Sequence, residues 1–314
     1  MDSLILATNV VLPLIILIGI GYGTQSLHWI SNEAYQQMNK LVFNVLLPCH
    51  LFNTVYGGKF EEMINVRLII YSVITICAVF SIGIFIAKAW TKNNKKRGVV
   101  LQSLFRSNFV LFGIPIVQSV YGDNIGATAV LIMVIVPVFN ILAVISLEMF
   151  RSGKINFRSI IANICKNPLI LSTALGILLT ILDVPIPALL HKSIKDIAVT
   201  ATPIALIVLG GTFQKQSIGD NMRLLLSMSA IKLFISPLIF LGLALPLGFR
   251  NVEILSLVAL YGSPAAVSSY TMAHMMEGDS ELAGQHVLIS TVLSIFSIFF
   301  WVFILSWFSF VRPF

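Results

Sequence analysis

The stretch Phe105–Val117 reads FRSNFVLFGIPIV, placing an arginine, an asparagine and a Gly-Ile-Pro step inside a segment otherwise as apolar as a membrane-spanning helix. A proline in a helix interior removes one backbone hydrogen bond and clashes with the preceding turn. The glycine before it lets the chain leave helical geometry at little steric cost. Lipid cannot satisfy the backbone groups so released, so a break at membrane depth must be buried in protein or line a polar cavity. The stretch therefore predicts an interrupted helix, with Pro115 opening its second half, since proline suits the first position of a helix.

The rest of the chain supplies the membrane. Of its 314 residues 57% are hydrophobic and only 11% charged, against roughly 25% charged in ordinary soluble domains. Uncharged runs such as Ser3 to Asn32, Leu68 to Ala87, Asn124 to Leu147, Ile254 to Met276 and Leu282 to Val311 reach the roughly 20 residues that a spanning helix needs. No basic n-region precedes the first run, which argues against a cleaved signal peptide. The net charge of +7 does not point to nucleic acid, because the basic residues gather in short loops. Lys92, Lys95, Lys96 and Arg97 form one cluster and Arg151, Lys154, Arg158 and Lys166 another, the pattern of cytoplasmic loops in a multi-pass protein of the plasma membrane.

Ten spans are expected, at roughly 5 to 27, 35 to 56, 66 to 90, 98 to 121, 124 to 150, 168 to 185, 189 to 213, 222 to 247, 253 to 276 and 285 to 310. With the basic clusters inside, both termini lie outside, and the loops of Lys215 and of Glu277, Asp279 and Glu281 lie inside. The prolines then suggest an internal repeat. Pro13 and Pro168 are separated by the same interval as Pro48 and Pro203 and as Lys40 and Lys195, and Pro115 and Pro264 by nearly that interval. Five spans per half is an odd number, so residues 1–150 and 151–314 would be inverted repeats, an organisation typical of secondary transporters.

The second half repeats the break in Tyr261-Gly262-Ser263-Pro264. Two half-helix N-termini meeting near the midplane would carry partial positive charge and free N–H donors, a natural anion site. Arg106 stands about 12 Å into its span at 1.5 Å per residue, and Lys232 is similarly deep, with no carboxylate at comparable depth. Buried ionisable groups in membranes mark function by default. The competing explanation for Arg106 is snorkelling to the interface, and for Lys232 a structural tie to a freed carbonyl. The expected substrate-binding residues are Arg106, Asn108, Gly113, Pro115, Lys232, Ser263 and Pro264.

Other signals carry less. Gly19 and Gly23 form a GxxxG pair suited to close helix packing. Cys49, Cys77 and Cys165 are widely spaced and expected as buried packing residues, and Cys49-His50 lacks a second convergent ligand, so no metal and no cofactor are expected. There is no HExxH, no Walker A motif and no nucleophile–base pair, so the chain is not expected to be an enzyme.

Several pieces together resemble the auxin efflux carrier family, whose microbial branch includes malate and malonate permeases and which is distantly similar to sodium/bile acid symporters. They are Met38-Asn39-Lys40-Leu41-Val42 with Leu47-Pro48, Arg106-x-Asn108 with Gly113-Ile114-Pro115, and Thr202-Pro203-Ile204-Ala205-Leu206 with Gly210-Gly211. Lys232 with Pro237, then Pro264, and Ser290-Thr291-x-x-Ser294 complete the set. The resemblance covers essentially the whole chain. It implies ten helices, with spans 1, 2, 6 and 7 as a scaffold and 3 to 5 and 8 to 10 as a moving transport domain, crossover prolines at Pro115 and Pro264, a binding asparagine at Asn108, and a homodimer. The expected function is alternating-access transport of a small carboxylate such as malate, malonate or an auxin-like acid. The alternatives are a carrier of a cation or neutral metabolite on the same fold, and a membrane receptor that moves nothing. Proton or sodium coupling and uniport are all left open.

Overall fold

The structure, a computed structural model, describes residues 2–56, 65–151, 157–213 and 218–312. Among them the regular elements are helices, plus one isolated pair of bridged residues. The first half comprises α1 (Asp2–Ser26), α2 (Asn32–Leu41), α3 (Leu47–Val55), α4 (Val66–Trp90), α5 (Asn94–Phe105), α6 (Phe109–Tyr121) and α7 (Gly126–Arg151). The second comprises α8 (Phe157–Lys166), α9 (Pro168–Ile181), α10 (Ala188–Gly211), α11 (Ile218–Ala230), α12 (Ser236–Ala244), α13 (Asn251–Gly262), α14 (Ser268–Met275) and α15 (Ser280–Trp307). A π turn at Val42–Leu46 joins α2 to α3, and another at Ile231–Ile235 joins α11 to α12.

Among the described residues, five helical runs are long and apolar enough to cross a membrane: α4, α7, α10, α15 and the combined run Asn221–Ala244. The chain is an all-helical, multi-pass membrane protein. Side-chain caps set several starts: Asn65 accepts from Leu68 N–H at the head of α4, Asn93 from Lys95 N–H at α5, and Asp279 from Leu282 N–H at α15. Asn167 does the same for Leu169 N–H at α9, where Pro168 occupies the first position and has no N–H to lose.

Both π turns precede a proline, Pro48 and Pro237. Pro237 cannot donate to the carbonyl of Leu233 four residues back, and the indole N–H of Trp301 takes that carbonyl instead at 2.9 Å. A wide turn with a borrowed donor is cheaper here than an unsatisfied carbonyl in a dry interior.

Helices α1, α3, α9 and α10 pack together, with α10 touching both α1 and α3. A second group gathers α4 to α7 with α11 to α15, and α15 also runs along α1. Close approach of α1 and α10 depends on glycine, though not on the expected pair: Gly19 and Gly23 have nothing within 4 Å. Gly21 and Gly210 are the contact residues, where an added Cβ would lie 2.0 Å from the carbonyl oxygen of Ile207 and of Ile18 respectively.

Two further expectations are corrected. The segment read as a loop between the halves contains α8, a short helix whose apolar residues repeat at helical spacing and which Pro168 separates from the next. Cys77 and Cys165 are exposed and Cys49 half-buried rather than packed inside, because a thiol is apolar enough to stand uncovered on a helix surface. Lys154 and Lys215 lie outside the described residues.

The ends of several helices are tied together. Asp279 N–H donates to Lys95 O at 3.3 Å, Lys96 Nζ donates to Asn221 Oδ1 at 2.7 Å, and Arg151 Nη2 meets Glu277 Oε1 at 2.7 Å. The basic start of α5, the end of α7 and the α14–α15 turn therefore share one end of the molecule. The hydrogen bond from Arg151 holds the Glu277 carboxyl below its ordinary range.

Candidate functional site

Both interrupted helices are present, but the first break is not where the proline is. Helix α5 ends at Phe105, Arg106 and Asn108 leave helical geometry, and α6 starts at Phe109 with Pro115 inside it. A helix can carry an internal proline at the cost of one hydrogen bond, and here tertiary pairing decides the location instead. Gly113 serves packing: a Cβ there would stand 3.0 Å from both Phe109 and Ile132. In the second half Ser263 and Pro264 do lie in the break, between α13 and α14. Pro264 lies between the two helices rather than opening α14, which starts at Ser268.

The two breaks cross as short antiparallel segments joined by one isolated bridge. Ser107 and Ala265 form the bridge, and Asn108 N–H donates to Pro264 O at 2.8 Å. Helix α15 supplies further partners: Ser290 Oγ accepts from Ala265 N–H at 3.1 Å, and the Ser297 hydroxyl donates to Gly262 O at 3.3 Å. Unwound backbone at this depth persists because each break satisfies part of the other.

Beside the crossing lies a cavity of about 50 Å³, lined by Arg106, Asn108, Asn140, Ser268, His50 and Thr202 among apolar neighbours. At roughly 10–15 Å³ per water-sized occupant it has room for a carboxylate-sized group. Arg106 is 3% exposed, so it does not snorkel. Its Nη2 donates to Asn140 Oδ1 at 2.7 Å and to Ser268 Oγ at 2.8 Å, while Nη1 rests on Met272 Sδ. The acceptor at Asn140 is held in place because its own Nδ2 donates to Val136 O at 2.9 Å.

All the side chains that the guanidinium touches are neutral. Asn108 Nδ2, Ser107 Oγ and Ser263 Oγ are buried without partners. Neither α6 nor α14 has a side-chain cap, and Phe109, Val110 and Ser268 from their first turns line the cavity. A fixed cation, an amide donor and two uncapped helix N-termini thus face one small space, an arrangement that favours an anion and suits the planar fork of arginine to a carboxylate.

Of the residues expected to bind, the structure brings Arg106 and Asn108 to the cavity. Ser263 and Pro264 form the crossing behind it, and Gly113, Pro115 and Lys232 do not line it. Lys232 sits in the second π turn, 1% exposed. Asn140, Ser268, His50 and Thr202 were not expected as cavity residues. Asn140 had a signal, an amide inside the uncharged run from Asn124 to Leu147, but nothing in the sequence aimed it at Arg106.

The comparisons with known proteins agree on the class. A family described as membrane transport protein matches residues 6–302. An uncharacterized transporter of Methanocaldococcus jannaschii is 22% identical over 95% of this chain and 98% of its own length. An uncharacterized transporter of Escherichia coli K12 is 26% identical over 83% of this chain and 86% of its own. A protein of Rhizobium meliloti named "Putative malonate transporter" is 24% identical over 92% of each. With nearly the whole length matched, the chain belongs to the membrane transport protein family, that of the auxin efflux carriers.

Proposed function

We propose that this protein is a secondary transporter that carries small organic anions, such as malate or malonate, across the plasma membrane by alternating access. The observation that carries the reading is Arg106: a buried cation with only neutral partners, facing a carboxylate-sized cavity with the Asn108 amide and two uncapped helix N-termini. An uncompensated interior charge is costly, and a bound carboxylate would supply the missing countercharge. The relative named for malonate transport supports the same substrate class.

In this reading residues 1–150 and 151–314 are inverted repeats of five helices each, broken at the fourth and ninth spans, with both termini outside. The group of α1, α3, α9 and α10 with α2 serves as the scaffold, through which two copies pair, and the remaining helices move as the transport domain. An inside-negative potential would favour export of the anion by about 2.3 kcal/mol per charge per 100 mV. The test is thermal stabilisation of the purified protein in detergent by a panel of mono- and dicarboxylates, with Asn108→Ala beside it. A selective shift by one or two acids, lost in the variant, is the expected result. A folded protein that no acid stabilises overturns the anion assignment.

A further inference from the structure

A polar space larger than the one at the crossing lies elsewhere in the molecule. A cavity of about 360 Å³ opens between the end of α1 (Gln25), the first half of α2 (Asn32 and Gln36), the end of α10 (Thr212), and the facing Tyr270, His274 and Glu281 of α14 and α15. It lies at the end of the molecule that carries the basic start of α5, since the α14–α15 turn meets Lys95 there. Three of its walls lead to the crossing. Helix α14 carries Tyr270 at this cavity and Ser268 at the other, and α10 carries Thr212 here and Ala205 there. The run from α2 to α3 carries Gln36 here and Leu47 there. Along α10 the two spaces are about 10 Å apart at 1.5 Å per residue.

Between them the walls touch. The Tyr270 hydroxyl donates to Thr212 Oγ1 at 2.6 Å, and Thr212 Oγ1 donates onward to Val208 O at 2.8 Å. The ring of Tyr270 lies against Gly284 of α15, where a Cβ would come within 3.2 Å of it. One turn beyond Gln36, in the direction of the crossing, Asn39 is 1% exposed, and both its amide oxygen and its amide nitrogen lack partners. Thr271 Oγ1, next to Tyr270, is buried and unpartnered as well. A fully orphaned interior amide is a standing cost, and it is explained if a polar solute or its water passes and bonds to it.

We propose that this cavity is the vestibule by which a small hydrated polar solute reaches the crossing from the basic-loop side, with Asn39 as a way station. The Tyr270–Thr212 hydrogen bond is the latch that closes its inner end. This rests on the transport reading, though not on the charge of the solute. Apart from Gly211 and Phe213, the vestibule is lined by amides and hydroxyls with one imidazole and one carboxylate, which suits a hydrated solute in transit rather than a tightly held anion. Latch and crossing move together because Ser268, bonded to Arg106, and Tyr270, bonded to Thr212, share one short helix.

The test reads accessibility. Ala205→Cys is introduced with Cys49→Ser, Cys77→Ala and Cys165→Ala, and a charged, membrane-impermeant methanethiosulfonate is applied to vesicles of either orientation. Tyr270→Phe should raise the modification rate roughly fivefold from the basic-loop side alone, the population shift expected on losing one hydrogen bond. Thr212→Val should do the same, and the two together no more than either, since they remove one bond. Both variants are checked for an unchanged thermal midpoint. Unchanged rates in the folded variants, a rise in only one of them, or an equal rise from both sides would overturn the latch. A failed carboxylate panel leaves this result standing, because the reagent reports the path and not the substrate.

Discussion

Arg106 and Asn108 are two residues apart in sequence, yet they make different demands on the protein. Arg106 is already engaged by Asn140 and Ser268, so Arg106→Ala removes structure as well as charge. Arg106→Lys keeps the charge and loses the fork. We expect Arg106→Lys to weaken carboxylate affinity, read from the ligand-concentration dependence of the melting temperature, at least about tenfold, the usual cost of losing one charged hydrogen bond; unchanged affinity would remove the guanidinium from the binding site. Asn108 Nδ2 has no partner to lose. Its alanine variant should therefore unfold within about 0.5 kcal/mol of the parent without ligand, while failing to respond to any acid. A large loss of stability in that variant, measured by thermal melting, would make Asn108 a structural residue instead.

At the scale of the element, the interrupted helices are held by donors from elsewhere. Trp301→Phe leaves the Leu233 carbonyl buried without its indole partner, which should cost about 1–3 kcal/mol. Adding Pro237→Ala restores a backbone N–H four residues on, so the double variant should recover part of that loss; a strictly additive result would refute this account of the π turn. The α14–α15 turn has a milder dependence. Glu277 has its carboxyl pKa lowered by Arg151, so the pair stabilises the fold above the ordinary carboxylate range, and this contribution disappears as pH falls through the lowered value. The group is exposed, and Glu277→Gln should shift the unfolding midpoint at neutral pH by no more than an exposed ion pair does, under about 1 kcal/mol.

For the whole molecule the decisive contact is between α1 and α10, whose backbones meet at Gly21 and Gly210. Gly210→Ala would drive a methyl to 2.0 Å from Ile18 O, and neither partner is a flexible side chain that could yield. The helices must separate, and we expect a loss of about 1–3 kcal/mol or more, read as a lower melting temperature. Gly19→Ala, which meets nothing within 4 Å, should be neutral. Equal effects at both sites would mean that the packing of these helices is governed by something other than backbone approach.

The sequence by itself determined the membrane class, the family, the existence of two interrupted helices and the nearness of Arg106 and Asn108 to the first of them. Those follow from composition, from runs of uncharged residues and from proline, glycine and arginine where lipid tolerates none of them cheaply. It misplaced the first break, because Pro115 marks a weak point in a helix while the actual opening is chosen by the extended segment it pairs with, 158 residues from Ser107 at Ala265. It chose the wrong glycines, since a GxxxG spacing names a face but not what that face meets. Asn140, Ser268, Tyr270 and Thr212 became a cation clamp and a closure only through tertiary structure, because hydrogen bonds between helices distant in sequence leave no periodicity for a single sequence to display.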